Sequence, residues 1–266
     1  MNILITGGNG FVATEIYNKL KDKYKVHNPS RNELDLLDKK SLVKWFDQNA
    51  MYDLVIHTAI RGGSRLIPDA ADIFYDNIKM FYNLLEHKHK FKKLINFSSG
   101  ASYDRQQDIN GVNDILMSNP DDYYGFSKNI IDRLILNIDN FYNIRIFNVF
   151  SENEKESRFI KTCIRNVNQG QNIIIHNDRY FDFFWFNDLI NVVEYYLTNN
   201  NLVKDIDLCY KEKFKLSEIA EFINKGDNIK IIVNSVSDLN YIGNCENLYK
   251  YNITFLGFSC FNHDSV

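Results

Sequence analysis

Hydrophobic residues in the first 150 positions form short continuous runs that alternate with longer stretches of helical periodicity. The apolar runs are 2–6, 25–27, 53–57, 93–97 and 144–149, and the helical stretches are 11–21, 39–48, 73–89 and 123–137. Strands that are apolar at nearly every position are typical of a parallel sheet covered by helices on both faces. The pattern therefore predicts an α/β fold built on a doubly wound parallel sheet.

The alternation becomes less regular after Phe150. Helices are predicted at 158–168, 187–197 and 216–224, strands at 172–176, 204–209 and 229–233, and a loose tail at 257–266. We expect one large domain of residues 1–150, to which 177–200 return. Residues 151–176 and 201–266 would form a small C-terminal lobe.

Composition narrows the class of protein. Of the 266 residues 45% are hydrophobic and 24% are charged, which is enough to build a core and excludes a disordered chain. The net charge of −3 argues against nucleic acid or an anionic membrane as a partner, because both attract basic surfaces. No long uncharged apolar window and no basic leader is visible, so neither a membrane span nor a signal peptide is expected.

The cysteines point to a reducing compartment and away from a metal site. Cys163, Cys209, Cys245 and Cys260 are scattered, and none belongs to a CxxC or CxxH pair. Structural zinc is therefore not expected. We predict a cytoplasmic protein without a bound metal.

A glycine-rich turn follows the first strand. Gly7, Gly10 and Ala13 are spaced three residues apart, between an apolar run and an amphipathic helix. Glycine is required where the backbone turns tightly and approaches a pyrophosphate, and the third position needs only a small residue. The amides that begin the helix would then face the phosphates. A turn that merely happens to use glycines is the alternative, but its position favours dinucleotide binding.

The end of the second strand distinguishes the two nicotinamide cofactors. NAD-binding proteins usually carry an acid there, whereas an arginine suits a 2′-phosphate. This chain has no acid at 26–29, and Arg31 follows beside Ser30. The segment predicts NADP(H) rather than NAD(H), with a solvated surface arginine as the alternative.

Hydride transfer to a carbonyl needs a proton donor, and a tyrosine with a lysine four residues later can supply one. The YxxxK pattern occurs three times, beginning at Tyr17, Tyr75 and Tyr124. Only Tyr124 opens the helix that follows the fourth strand, which itself ends in Ser98 and Ser99. Ligands of parallel sheets bind at that end of the strands.

With these features the chain resembles the extended short-chain dehydrogenase/reductase family of nucleotide-sugar epimerases, dehydratases and reductases. The resemblance runs over residues 1–190 and implies a Rossmann-type domain followed by a small substrate-binding lobe. The matching segments, in the order of the family, are TGGNGFVA (6–13), HTA (57–59), Asn77, FSSGASY (97–103), YGFSK (124–128), RIFNVF (145–150) and FDFFWFNDL (181–189).

The resemblance implies roles for individual residues in catalysis. Ser99 would be the catalytic serine, with Ser98 as the alternative, and Tyr124 the general acid/base. Lys128 would hold the nicotinamide ribose and lower the pKa of Tyr124. Asn148 would lie near the substrate together with Ser99 and Tyr124.

It also implies a path for the cofactor. Gly7, Gly10, Phe11 and Val12 would lie along the pyrophosphate, and Ala59 beside the adenosine or ribose. His57 in the same strand is expected to be a core or cofactor-contact histidine rather than a catalyst.

Within the family, SRNELDLLD (30–38) looks most like the NADPH-dependent reductases of the GDP-fucose synthase and dTDP-4-dehydrorhamnose reductase types. Asp35 and Leu36 would then contact the adenine and Arg31 the 2′-phosphate. The implied reaction is reduction of a keto group, that at C4 or another, of a nucleotide-activated deoxysugar. The hydride would come from NADPH and the proton from Tyr124.

Departures from the family pattern narrow this expectation. Ala101 stands where the epimerising synthases have a cysteine, and Gly100–Ala101 stands where dehydratases have an Asp-Glu pair. A plain ketoreductase is therefore expected, with an NAD-retaining epimerase and a non-catalytic NADP-binding protein as alternatives. The resemblance further implies a homodimer. The aromatic run 180–186 is interpreted as core rather than as a wall of the site.

Overall fold

The computed structural model describes residues 1–64, 67–105, 114–226 and 229–258. Most of the expected tail, including Cys260, lies outside these ranges. The strands are β1 (Asn2–Thr6), β2 (Lys25–His27), β3 (Tyr52–His57), β4 (Phe91–Ser99), β5 (Phe141–Ile146), β6 (Val149–Phe150), β7 (Ile173–Ile175), β8 (Phe184–Trp185), β9 (Asp205–Leu208) and β10 (Ile231–Val233). The helices are α1 (Phe11–Leu20), α2 (Lys39–Gln48), α3 (Ala71–Glu86), α4 (Asp114–Met117), α5 (Tyr123–Ile135), α6 (Phe159–Asn168), α7 (Phe186–Thr198) and α8 (Leu216–Asn224).

Six strands form one parallel sheet in the order β2-β1-β3-β4-β5-β9. Alternate residues of its central strands are buried on opposite faces: Ile3 and Ile5 pack with α1 and α7, whereas Leu4 packs with α2, α3 and α5. Both faces are therefore covered, which explains why the strands are apolar at nearly every position. The doubly wound α/β architecture is confirmed.

A smaller apolar cluster lies beyond the carboxyl ends of the strands. It joins α6, α8 and the two-stranded sheet β7–β10 to aromatic residues that include Phe147, Phe181 and Tyr241. The sequence division assigned all of 201–266 to this lobe, but β9 pairs with β5 at the edge of the main sheet. Its four residues are all buried.

Other boundaries differ locally from the expected ones. The apolar run 144–149 is interrupted after Ile146, because Phe147 packs on Tyr103 and Tyr241 instead of continuing the strand. The helix expected at 73–89 ends at Glu86 and is followed by a 3₁₀ turn, Lys88–Lys90. Within the described ranges no helix is both long and apolar enough to span a membrane.

Candidate active site

A cavity of about 680 Å³ opens at the carboxyl ends of β1, β3, β4 and β5, between the main sheet and the small apolar cluster. Seven of the residues selected from the sequence line it: Phe11, Val12, Ser98, Ser99, Tyr124, Lys128 and Asn148. The structure thus brings the start of α1, the end of β4 and the first turn of α5 to one space. This is where ligands of open parallel sheets bind.

Helix α5 places Tyr124 beside Ser99. Asp122 caps the helix by accepting a hydrogen bond from the Gly125 amide at 2.7 Å. A Cβ on Gly125 would lie 2.4 Å from the carbonyl oxygen of Ala101, so only glycine allows α5 to approach the end of β4 this closely. The glycine inside the YGFSK segment therefore sets the distance between the tyrosine and the serine.

The three candidate catalytic side chains have different environments. The Tyr124 phenol is hydrogen-bonded to Ser99, and its burial raises the pKa to about 12. Lys128 is buried and donates from Nζ to the Phe97 carbonyl oxygen at 2.6 Å. Burial lowers the pKa of Lys128 to about 8, although Asp132 acts in the opposite direction. The Ser99 hydrogen bond acts against burial and lowers the pKa of Tyr124. The expectation that Lys128 lowers the pKa of Tyr124 as well stays a prediction.

Ser98, the alternative serine, also lines the cavity, but its hydroxyl is bonded to a buried ionic cluster. Its hydroxyl donates to Asp132 Oδ2 at 2.6 Å. The fully buried Arg145 guanidinium pairs with Asp132 and Asp205 at 2.9 Å each and with Asp207 at 2.5 Å. Burial of three carboxylates around one cation raises the pKa of Asp132 and of Asp207. Ser98 is therefore part of the support beneath the site, whereas Ser99 contacts the tyrosine.

The glycine-rich turn is shaped by close backbone approaches. Gly7 has a φ of +80°, and a Cβ there would lie 2.9 Å from the Ala59 Cα. Gly8 lies equally close to the segment that follows β2. Its amide donates to the Pro29 carbonyl oxygen of that segment at 3.1 Å. Helix α1 begins at Phe11, and Gly10 supplies no side-chain cap. Its first amides are thus available to an anion at the cavity.

Six candidate cofactor residues do not line the cavity: Gly7, Gly10 and Ala59 at the glycine-rich turn, and Arg31, Asp35 and Leu36 beyond Gly8 and Pro29. The side chain of Arg31 is 66% exposed and its Nε contacts Asp35 Oδ2 at 3.3 Å. Asp35 also accepts from the Leu37 amide at 2.9 Å through Oδ1. The Leu36 side chain is buried against Leu4 and Leu42, so Leu36 can offer a ligand only its backbone.

The second half of the cavity wall was missed by the sequence reasoning. Arg158, Arg179 and Tyr241 line it, together with Arg105 and Phe181. Arg179 lies over the Phe181 ring at 5.2 Å and donates to the Leu239 carbonyl oxygen at 3.4 Å. Arg179 immediately precedes the aromatic run, which could have drawn attention to it. No local pattern distinguishes Tyr241.

Arg158 is held in place by a buried carboxylate. Its Nε contacts Glu154 Oε2 at 3.1 Å, and its Nη2 lies 3.3 Å from the Val149 carbonyl oxygen and 3.5 Å from Asn148 Oδ1. Burial raises the pKa of Glu154 to about 7, even though Arg158 lowers it. The guanidinium and the Asn148 amide are thereby presented to the cavity together.

Two further expectations concern His57 and the aromatic run 180–186. His57 is buried in β3 and contacts Thr6 Oγ1 at 2.9 Å through Nδ1, and burial lowers its pKa to about 3. It is a neutral core residue in the wall behind the cofactor turn. In the aromatic run, Phe183, Phe184 and Phe186 are core residues, whereas Phe181 also contributes to the cavity wall.

Comparison with known proteins places this arrangement in a family. The model of the NAD dependent epimerase/dehydratase family matches residues 3–208. A GDP-L-colitose synthase from Yersinia pseudotuberculosis is 32% identical over 123 residues, which span 44% of this chain and 40% of that protein.

Solved structures extend the likeness of the fold to nearly the whole chain. A GDP-mannoheptose C4 reductase from Campylobacter jejuni with NADP bound has a TM-score of 0.80 at 16% identity, covering 96% of this chain and 93% of its own. A GDP-L-fucose synthetase from Naegleria fowleri bound to NADP also has a TM-score of 0.80 at 16% identity, covering 99% and 90%.

Proposed function

Because the chain belongs to the NAD dependent epimerase/dehydratase family, we propose that it is an NADPH-dependent ketoreductase of a nucleotide-activated deoxysugar. The keto group would be at C4. One observation carries the proposal: Ser99, Tyr124 and Lys128 line a single cavity with the phosphate turn on one side and arginines on the other. The named relatives, which include a GDP-sugar synthase and a C4 reductase, support the same chemistry.

Tyr124 is the proposed proton donor to the carbonyl oxygen of the substrate. At neutral pH its phenol is protonated, since its pKa lies at about 12. Ser99, already hydrogen-bonded to the phenol, orients it and donates to the same oxygen as negative charge develops there. Lys128 would hold the nicotinamide ribose, and its charge would stabilise the tyrosinate left after proton transfer.

The residues of the phosphate turn fit a dinucleotide. The uncapped N-terminus of α1, with Gly7, Gly10, Phe11 and Val12, would hold the pyrophosphate, and Ala59 would lie beside the adenosine. Arg31 would bind the 2′-phosphate, and Asp35 and the backbone of Leu36 the adenine. When bound, NADPH supplies the hydride.

The opposite side of the cavity suits a second anion. Arg158 and Arg179 come from different segments and face one space beside Asn148. Guanidinium groups bind phosphate oxygens through charge-assisted hydrogen bonds. We assign them to the diphosphate of the nucleotide sugar and Asn148 to the sugar.

The test is a titration of the purified chain with NADPH and NADH, followed by turnover of a panel of 4-keto nucleotide sugars. The proposal expects stoichiometric NADPH oxidation with one of them. An NAD-retaining epimerase would carry tightly bound NAD and consume no NADPH. A protein that binds NADPH but turns over no member of the panel would favour the non-catalytic alternative.

The lobe that receives the sugar is proposed to comprise 151–176 and the parts of 201–266 outside β9.

We also propose a cytoplasmic homodimer. Helix α3 packs beside α5, and exposed apolar side chains occur on α3 and just before and at the start of α5. They are Tyr75, Tyr82, Leu116, Met117 and Tyr123. Light scattering should give twice the chain mass, and charged substitutions at Tyr75 and Tyr82 should reduce it to one.

A further inference from the structure

The segment that carries Tyr241 is fastened to the end of β9 a few residues later. The Asn244 amide donates to Asp207 Oδ2 at 2.9 Å, and the Gly243 amide donates to Asp182 Oδ2 at 2.7 Å. A Cβ on Gly243 would lie 2.8 Å from the Asp207 Cβ. Gly243 and Asn244, the two residues before Cys245, therefore lie directly against Asp207, two residues before Cys209.

This contact brings two free thiols together. Cys209 is fully buried immediately after β9, where its thiol donates to the Asp207 carbonyl oxygen at 3.7 Å, and Cys245 is partly exposed on the neighbouring segment. Lys213 stands beside them, donating to the Gly243 carbonyl oxygen at 3.2 Å and pairing with Asp182 at 2.8 Å. The arrangement joins an accessible thiol, a buried partner and a cation in one place.

The two cysteines differ in acidity. The neighbouring Cys209 thiol, together with Lys213, lowers the pKa of Cys245 to about 6. Burial instead raises the pKa of Cys209. A thiolate is the form that reacts with disulfides, so Cys245 has the properties of the attacking group and Cys209 those of the resolving group.

We propose that Cys209 and Cys245 form a reversible dithiol–disulfide pair that reacts with small-molecule disulfides. The Cys245 thiolate attacks one sulfur of the oxidant RSSR, forms a mixed disulfide and releases RS⁻. The Cys209 thiol then loses its proton and attacks Cys245 Sγ, which displaces the second RS⁻. Two protein thiols are oxidised by two electrons, and RSSR is reduced to two thiols.

The bond would act on the cavity through Tyr241. A covalent S–S bond is shorter than the thiol contact, so its formation draws 241–245 toward β9. The Tyr241 hydroxyl lies close to Gly100, the residue after Ser99: a Cβ on Gly100 would be 2.7 Å from the hydroxyl oxygen. Tyr241 also lines the cavity wall. This effect on the site rests on the proposed function. Oxidation should raise the KM for the nucleotide sugar several-fold and leave NADPH binding unchanged.

The first experiment needs no enzymatic activity. The full chain is incubated with oxidised glutathione, alkylated and mapped by mass spectrometry. We expect an intramolecular bond between Cys209 and Cys245, reversed by dithiothreitol, and faster alkylation of Cys245 than of Cys163. Cys163 is buried in the lobe and burial raises its pKa to about 12, so Cys163→Ala is the matched control that should oxidise normally.

Single variants separate the two steps. Cys209→Ser should accumulate glutathione on residue 245, whereas Cys245→Ser should accumulate none on residue 209. A bond that involves Cys163 or Cys260, or slow alkylation of Cys245 in the wild-type chain, would overturn the pair. If the bond forms but an active enzyme keeps its KM, the coupling to Tyr241 is wrong. If the bond forms in a chain without reductase activity, the proposed function fails instead.

Discussion

The two sides of the cavity are built in different ways. The cofactor side is made of backbone: a turn at Gly7 and Gly8, the first amides of α1, and the close approach to Ala59. The opposite side is made of side chains from separate segments, namely Arg158, Arg179 and Tyr241. A backbone site depends on a few neighbouring residues, whereas a side-chain site depends on how distant segments pack. A backbone site can therefore be predicted from a short stretch of sequence, whereas a side-chain site cannot.

Electrostatics follows the same division. The chain has a net charge of −3, yet its proposed function requires it to bind two anions. On the cofactor side a helix N-terminus supplies the positive potential without a charged side chain lining the turn. On the substrate side guanidinium groups supply it, and Arg158 is oriented by Glu154. Local geometry, rather than the overall field, accounts for both.

Tyr124 stands where the two sides meet, and its loss should have the largest effect. Tyr124→Phe removes the proposed proton donor but keeps the ring, so kcat should fall by about 10²–10⁴-fold while the Kd of NADPH is unchanged. Stopped-flow turnover and fluorescence titration measure the two quantities. Tyr75→Phe, in an exposed YxxxK sequence on α3, is the control and should turn over normally. Equal turnover of both variants would remove Tyr124 from the mechanism.

Gly8→Ala tests whether the cofactor side depends on the backbone of the glycine-rich turn. The new Cβ would lie 2.5 Å from the Asn28 carbonyl oxygen, a backbone atom that cannot rotate away. Such overpacking costs about 1–3 kcal/mol. If the turn relieves it by moving away from the cofactor position, the Kd of NADPH should rise by about 5- to 150-fold. The KM for the sugar nucleotide should change little. A rise confined to the sugar KM would contradict the assignment of the two sides.

Arg179→Ala is the reciprocal change on the substrate side. Losing a hydrogen bond to a charged group costs about 1.5–3 kcal/mol, so the KM for the nucleotide sugar should rise by about 10–150-fold with NADPH affinity unaffected. Arg165→Ala, on the exposed part of α6, is the matched control. Initial rates at saturating NADPH measure the effect, and an unchanged KM would place the diphosphate elsewhere.

Arg31→Ala should have a smaller and selective effect on the cofactor side. Because Arg31 is mostly exposed, its contribution is screened to about 1 kcal/mol or less, and the Kd of NADPH should rise by up to about fivefold. The Kd of NADH, which lacks the 2′-phosphate, should stay the same. Parallel titrations compare the two cofactors. An equal loss for both would assign Arg31 to the surface.

Glu154→Gln tests the buried carboxylate that orients Arg158 on the substrate side, through the pH dependence of the chain's thermal stability. Burial raises the pKa of Glu154 from 4.5 to about 7, so the folded chain retains a proton that the unfolded chain releases. Stability is therefore lost as pH rises from about 4.5 toward 7. The glutamine variant lacks this proton, and its Tm relative to wild type should rise by a few degrees between pH 5 and pH 8. Calorimetry at both values measures it, and parallel Tm curves would refute it.

Much of the fold was predictable because its signals are local. Continuous apolar runs such as β3 identify strands buried on both faces, and the helical periods between them identify the layers. The sheet position of β9 was not predictable, since Asp205 and Asp207 break the apolar pattern of its four residues. They are buried there because Arg145 on the neighbouring strand pairs with both. The ion cluster is a tertiary feature with no signature in either segment.

The sequence by itself determined the strand–helix alternation, the glycine turn before α1 and the choice of Tyr124 among three YxxxK sequences. Each depends on residues within a few positions of one another or on their place in the order of elements. Only the tertiary structure decided that Ser99 rather than Ser98 contacts the tyrosine. It also decided that Arg158, Arg179 and Tyr241 share the cavity and that Cys209 meets Cys245. These contacts join residues distant along the chain, and their formation depends on packing rather than on local conformational preference.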